Sequence, residues 1–556
     1  MKLLSVMKQA GLLATAMTSV IAFAADGPGD VAWTQLYNGP GNSNDGAVGI
    51  VVDAAGNSYV AGVSPGSGTG NDYVTIKYGP DGTPLWTARY NAVPGFEVDD
   101  EAYAIAVDPA GNAYVTGGSG IPPNHDFATV RYNADGSEAW VRRYDGASNT
   151  DKAVAITLDD SGNVYITGYS LNSSGEERQI VTIKYDASGM IRWLAEYRGD
   201  NNYAVPAAIA VDERKFAYVT GYTLADRNMP DIVTICYDSL GSERWVSTYG
   251  YITPGDTVVP DMGTDIVVNT EGVFVTGQSA NGLPPSGKEY FVVLRYDRED
   301  GSRQWLYRYA GTQGTYHRPS HIRLDPWGNP IVTGTSAGSQ GAHRNFDILT
   351  FKLNGSNGSL AWRARFDADT SDDYGKGLVV DGTGRAHVCG VARMAQNNDF
   401  VHLRYTPDGY QEFHKFYDTG DDDDGVALGI DQHMNAYITG KSFRGAAGYD
   451  MMTFRIDSGT GVAESYSGTG PVLGSIQVSP NPVRGQAQLR FFLPRDGGLS
   501  VKLYDAVGAL ASVLADGPSK AGENRLALDG NRLVPGVYVV LCEGPGVRAT
   551  QKVLVK

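Results

Sequence analysis

Six aspartates, Asp45, Asp100, Asp151, Asp261, Asp373 and Asp423, each stand eight residues ahead of a second polar residue, Asp53, Asp108, Asp159, Asn269, Asp381 and Asp431 respectively. Ala204 and His317 take the same place ahead of Asp212 and Asp325. Carboxylates repeated at one register converge if the repeats surround an axis, and such a ring at the mouth of the axis would suit a hard cation. Ca²⁺ takes roughly six to eight oxygen ligands, and Asp99, Glu101, Asp372, Asp421, Asp422 and Asp424 crowd the same rim. The metal candidates are therefore Asp45, Asp100, Asp151, Asp373 and Asp423, with Ca²⁺ the candidate ion and no cofactor certain. The plainer expectation is that each aspartate accepts backbone N–H bonds and caps its loop. No segment has the acidic loop, central glycine and distal glutamate of a dedicated calcium hand.

A second group is more local. Four residues before the anchor, where Gly or Ala is usual, stand Asp265 and His321. Asp261, His317, Arg318 and Arg323 surround them in sequence. Asp261, Asp265, His317, His321 and Arg323 form the candidate ligand site: an acid and base pair, or a cradle for an anionic or polyhydroxyl ligand. The competing expectation is a salt-bridged patch that fills a channel.

These residues belong to a repeat. Asp-x-x-Gly-Asn-x-Tyr-Val-Thr-Gly, then Asp-Phe-x-Thr-Ile-Lys-Tyr-Asp, then Gly-x-x-x-Trp recurs eight times, with anchors at Asp53, Asp108, Asp159, Asp212, Asn269, Asp325, Asp381 and Asp431, about 50 to 57 residues apart. In the second copy Ala104-Ile105-Ala106-Val107-Asp108 and Ala113-Tyr114-Val115-Thr116 flank a turn, Pro109-Ala110-Gly111-Asn112, and read as a hairpin. A third strand covers 127–132 and a fourth 140–144, so the unit is a four-stranded meander. The fourth-strand aromatic recurs as Trp86, Trp140, Trp193, Trp245, Trp305, Trp362 and Phe413, but the last copy has Ser465. Trp33-Thr34-Gln35-Leu36-Tyr37 stands ahead of the first copy with the same spacing. The chain is expected to be all-β, an eight-bladed β-propeller (seven as the alternative) closed by its N-terminal strand, since closure removes unpaired edges.

The phrase from Ala104 to Gly117 resembles the bacterial SBBP-type β-propeller repeats and, more distantly, NHL repeats; the resemblance covers about residues 30 to 460. It implies a fold and leaves activity open. Turns such as Asp186-Ala187-Ser188-Gly189 resemble sialidase Asp boxes, which are structural, and no arginine triad with a nucleophilic Tyr accompanies them. Quinoprotein dehydrogenases use related Trp-docking turns, but no two of Cys236, Cys389 and Cys542 are neighbours. Lys77, Arg131, Lys184, Arg295, Lys352 and Arg404 share one strand-three position and read as ladder charges.

Both ends carry other instructions. Lys2 and Lys8, an apolar stretch from Leu12 to Ala24 and Ala22-Phe23-Ala24 read as an export signal over 1–24. No later segment reaches the ~20 apolar residues a span needs. A propeller over 25–470 ends in a Gly/Ser/Thr linker. Residues 471–556 follow as a small Ig-like β-sandwich. There Ser479-Pro480-Asn481-Pro482, Leu503-Tyr504-Asp505-Ala506-Val507-Gly508 and Leu533-Val534-Pro535-Gly536-Val537-Tyr538 resemble the sorting domain of type IX secretion cargo. The resemblance implies the type IX machinery as partner and a secreted or outer-surface location on a Gram-negative bacterium.

The charge of −17, from 45 basic and 62 acidic residues, repels phosphate backbones and argues against nucleic acid. The expected function is binding of an extracellular glycan, peptide or surface protein through the variable loops between second and third strands. An extracellular polysaccharide or peptide hydrolase or lyase, or a purely structural surface protein, is the alternative.

Overall fold

The computed structural model describes residues 29–458, apart from 94–95, 122–123, 147–148, 200, 225–228, 251–259, 281–288, 312–315, 338–344, 369–370, 395–396 and 446–447. It also describes 476–556, apart from 480–482, 494–495, 506–508, 521 and 545–546. The export signal (1–24) expected from the sequence and, but for Ser458, the expected linker (458–470) lie outside these residues.

Among the described residues, 31–456 form eight four-stranded antiparallel sheets. Sheet 1 comprises Gly46–Val52, Ser58–Pro65, Asn71–Tyr78 and Pro84–Tyr90. The first strands of sheets 2 to 8 are Asp99–Val107, Asp151–Leu158, Ala204–Val211, Met262–Asn269, His317–Leu324, Asp373–Val380 and Asp423–Ile430. Successive first strands pack on one another, and Gly46–Val52 packs on Asp423–Ile430, so the series closes on itself. The architecture is that of a β-propeller.

Each sheet is made by the same local chemistry. The anchor Asp53 accepts the N–H groups of Ala55 and Asn57 at 2.9 Å, the Asn57 amide at 2.8 Å and the Tyr59 hydroxyl at 3.1 Å. Asp108 and Asp431 repeat the pattern. A short acid that bonds its own turn fixes the hairpin through contacts within the turn itself. Asn269 holds a shorter turn by accepting from Glu271 and Gly272.

Neighbouring sheets are joined through the fourth-strand indole. Trp33, Trp86, Trp140, Trp193, Trp245, Trp305 and Trp362 each donate from Nε1 to a carbonyl in the third-to-fourth turn of the next sheet, at 2.9–3.3 Å. The ring lies flat on that turn. A Cβ on Gly241 would fall 2.6 Å from Trp193, and its φ of +86° suits glycine alone. The strand-three cations help: Lys77, Arg295 and Lys352 donate to the same turns, at Ala134, Gly355 and Pro407.

Sheet 8 has three strands of its own, and Val31–Tyr37 supplies the fourth by pairing with Tyr449–Ile456, Trp33 opposite Arg455. The junction is tied by Gly29 N–H to Asp457 O and Asp457 N–H to Asp30 O, both 3.0 Å. This explains Phe413. Sheet 8 takes its fourth strand from the N-terminus and so has no third-to-fourth connection of its own; Phe413 packs on His402 and under Arg404.

The C-terminal residues form two more sheets. One contains Ile476–Ser479, Gln486–Leu493 and Gly522–Asp529; the other contains Leu510–Ser519, Gly497–Asp505, Gly536–Gly544 and Val547–Val555. Leu489 and Phe491 of the first share one core with Val501, Leu503, Val540 and Cys542 of the second. No helix among the described residues is long and apolar enough to cross a membrane.

Because the indole joins two sheets, its loss removes a large buried ring and an inter-sheet hydrogen bond together. Trp193→Ala is expected to lower stability by about 3–5 kcal/mol in denaturant unfolding, whereas Phe413→Ala, which joins no sheets, should cost clearly less.

Candidate functional site

The six repeated aspartates do not form a ring at the mouth of the axis. Asp45, Asp100, Asp151, Asp261, Asp373 and Asp423 are all at most 1 % exposed, and none lines the channel. Five of them accept the N–H of Gly39, Ala92, Gly146, Ala368 and Thr419 in the loop just before, at 2.6–3.1 Å. The loop-capping expectation describes them. His317, in the same place, bonds Ser336 Oγ at 2.9 Å through Nδ1.

The physical reason is a β-bulge. Every first strand shifts register between the sixth and fourth residues before the anchor, as at Ala47/Gly49, Gly263/Asp265 and Pro319/His321. Residues eight and four before the anchor would share a face on a regular strand. One inserted residue reverses the parity, so the first set turns into the sheet's loop while the second lines the axis.

The structure therefore divides the second group. Asp261 and His317 are buried away from the axis, while Asp265, His321 and Arg323 line a channel of about 560 Å³ walled by the first strands of all eight sheets. Elsewhere this wall is mostly small and apolar, including Gly49, Ala104, Ala155 and Ala208. Asp265 Oδ2 accepts Arg323 Nη1 at 2.7 Å and Ile322 N–H at 3.1 Å, which ties sheet 5 to sheet 6. Burial in the wall pushes His321 down to about 4, so its imidazole is neutral at ordinary pH. Its Nδ1 is buried without a hydrogen-bond partner. Asp265 is neutralised by Arg323 and is poorly placed to act as a base. The trio can bind a small polar group more readily than it can move a proton.

Three features at the variable-loop end fall outside the sequence candidates. Lys152 Nζ bonds Glu101 at 2.7 Å and the Tyr103 hydroxyl at 3.0 Å, and Tyr103 reaches the channel. Phe96 and Ile121 project beside this end of sheet 2, 64 % and 59 % exposed. The third-strand aspartates, among them Asp126 and Asp399, stand close to the entry aspartate of the next sheet. Their signal was in the repeat phrase Asp-Phe-x-Thr, read there only as strand.

A closed series of four-stranded meanders with these turns makes the chain a β-propeller repeat protein. Residues 139–176 match the SBBP beta-propeller repeat. That unit begins in the fourth strand of sheet 2 and ends in sheet 3, so the matched repeat and the sheet are out of phase. No curated protein sequence matches the chain. Among solved structures it is similar to Sqt1 from Chaetomium thermophilum, at 11 % identity and a TM-score of 0.47 over 78 % of this chain and 100 % of that one. It is also similar to a polysaccharide lyase, an ulvan lyase, at 12 % and 0.37 over 64 % and 93 %. An α-L-arabinofuranosidase from Fusarium graminearum is similar at 10 % and 0.35 over 55 % and 92 %. Likeness at this level carries no argument about activity.

The buried entry acids have a consequence in pH. Burial, with neighbouring carboxylates, pushes Asp151 up to about 6 and Asp373 up to about 7, from an ordinary value of 3.8. The folded protein thus holds these protons at a pH where the unfolded chain has lost them. Their contribution is full below about pH 4 and is lost as pH rises through 6 and 7. The melting temperature is expected to fall between pH 5 and pH 8, and Asp151→Asn with Asp373→Asn should flatten that slope.

Proposed function

We propose that the protein is an eight-bladed propeller displayed outside the cell, which binds an extracellular ligand through its variable-loop face. The observation that carries this is the contrast between its two ends. The first-to-second connections are five residues in every sheet but one, as in 53–57 and 108–112, whereas the second-to-third connections run from two residues (122–123) to eight (281–288). Selection for folding alone has no need of that difference. Loops that vary on a rigid frame are where binding concentrates.

Glycan is the ligand class we favour, with peptide or surface protein as the other members of the class. Phe96 and Ile121 expose apolar faces at the same end of sheet 2 as the Glu101, Tyr103 and Lys152 network, a combination that suits a sugar's C–H face and hydroxyls. Exposed apolar residues at the other end, Leu240 and Trp327, belong to turns of different sheets. A polymer-cleaving role has less support, since the Asp265 carboxylate is engaged by Arg323. The C-terminal unit, with two sheets on one core, is compatible with an Ig-like sorting domain for type IX secretion, and we assign it that role on the motifs from Ser479 to Tyr538.

The test is a glycan array probed with the mature full-length protein. Binding to a defined glycan that is lost in Phe96→Ala with Ile121→Ala, with the melting temperature unchanged, is the expected result. Silence across the array, or binding indifferent to both substitutions, overturns the assignment of this surface.

A further inference from the structure

A polar strip crosses each sheet near its variable-loop end, and the repeats compare it with itself. In sheet 2, Asp100 stands opposite Ser119 and Ser119 opposite Asp126. Arg143, on the fourth strand opposite Ala128, donates to Asp126 Oδ2 at 2.8 Å and to Ser119 Oγ at 2.6 Å. In sheet 1 Arg89 does the same for Asp72 and Ser64, and in sheet 6 Arg365 pairs with Asp347. Beyond the fourth strand of sheet 2 come Asp145 and then Asp151, the entry acid of sheet 3. One carboxylate oxygen from each of Asp126, Asp145 and Asp151 lies within 4.8 Å of the others. The arginine thus sits beside a convergence of three acids.

Sheet 7 keeps the three acids and loses the arginine. Val401 stands opposite Phe416, the position that Arg143 and Arg365 fill in sheets 2 and 6. Asp399, Asp418 and Asp423 again bring one carboxylate oxygen each within 4.8 Å of one another. Asp399 is 4 % exposed, and its buried Oδ1 has no hydrogen-bond partner. The charged groups that act on it are Asp418 and Asp423, both acids. Its neighbours are already held in place: Asp418 Oδ1 accepts Gly420 N–H at 2.6 Å and Asn397 Nδ2 at 3.0 Å, and Asp423 accepts Thr419 N–H and Oγ1. Arg444 acts on Asp423 and Asp450 and does not offset Asp399. In sheet 8, where Leu36 takes the arginine position, Arg444 attends Asp450.

A buried carboxylate with neither hydrogen bond nor counter-charge is costly, and three convergent ones more so. We infer that Asp399, Asp418 and Asp423 bind a divalent cation, Ca²⁺ by the chemistry of the ligands, which does at the junction of sheets 7 and 8 what arginine does in sheets 1, 2 and 6. The donors are all hard oxygens, and Asp418 is exposed, which leaves a path for entry and room for water to complete the shell. Mg²⁺, which demands near-octahedral geometry and gives up water reluctantly, fits a half-open set of three loop and strand carboxylates less well. The site differs from the ring expected from sequence: it takes Asp423 from that series and joins it to two acids outside it. It stands whether or not the same face binds glycan.

The experiment is calorimetric titration of chelator-stripped, mature full-length protein with CaCl₂ and, separately, MgCl₂, followed by melting with and without each ion. A saturable calcium heat with a dissociation constant of about 10⁻⁴ to 10⁻³ M, as in extracellular modules, and a higher melting temperature are expected, with a weaker response to magnesium. Asp399→Asn should abolish the calcium heat and, by removing the unpaired charge, raise the melting temperature in chelator. Phe416→Arg should do both without altering any acid, by supplying the guanidinium that sheets 1, 2 and 6 carry at this position. Absence of a calcium heat up to about 10 mM, well above that range, overturns the site, as does an undiminished heat in both variants. A melting temperature indifferent to calcium across that range would also overturn it.

Discussion

The ring depends on an indole that belongs to one sheet and rests on the next. A four-stranded meander can fold its own hairpins, because a polar side chain within each first turn, Asp or in sheet 5 Asn269, accepts that turn's own N–H groups, yet it cannot by itself specify the angle to its neighbour. Seven tryptophans do that, each stacked on a glycine turn and hydrogen-bonded to a carbonyl within it. Aromatic burial supplies the free energy and the single N–H donor supplies the register. A Cβ on the glycine would occupy the space of the ring, so the two residues constrain each other: Gly82 with Trp33, Gly136 with Trp86, Gly241 with Trp193. The first of these pairs spans the closure, where the N-terminal strand must find sheet 8 and its indole must find sheet 1.

With one end of each sheet committed to docking, the other end is free to differ. Five entry aspartates restrain it from below: each holds the loop that leads into its sheet, so the surface above can lengthen without disturbing the first strand. The arrangement costs stability near neutral pH, since acids such as Asp373 are buried in their charged form there. Hydrogen bonds from the loop, and in several sheets an arginine across the strip, offset part of that cost.

The repeat was legible because its parts are local. Asp, Asn and Tyr at fixed offsets, and a Trp after a Gly turn, announce themselves by spacing, and so did the stray Trp33 that pairs with sheet 8. The choice between ring and loop cap for the entry acids was not legible, because the bulge has no such mark: Val48, Tyr103, Thr264 and Ser320, the residues inserted in their strands, share no type, and one extra residue sends everything before it to the opposite face. Asp265 and His321, on the axial side of the bulge, line the channel wall, while Asp261 and His317, four residues earlier, are buried away from it. Asp399 was invisible for a different reason. Its environment is set by Phe416 across the sheet and by Asp418 and Asp423 beyond it, contacts that only pairing between strands and between sheets creates.

In a ring of near-identical units, a residue that departs from the repeat is informative in proportion to how well the other copies explain what it replaced. His321 and Asp265 replace small residues that merely fill the wall, so their presence adds polarity without leaving anything unpaired except one imidazole nitrogen. Phe413 replaces an indole where sheet 8, completed by the N-terminal strand, has no third-to-fourth connection of its own to receive one. Phe416 replaces an arginine whose carboxylate partner remains in place, buried, and nothing in the surrounding side chains takes up the charge. These two phenylalanines lie on one strand, Gln411–Tyr417, beside the sheet that the N-terminus completes. The seam of the ring is thus the place where its repeat is least self-sufficient, and where an ion from solution would be worth most to the closed form.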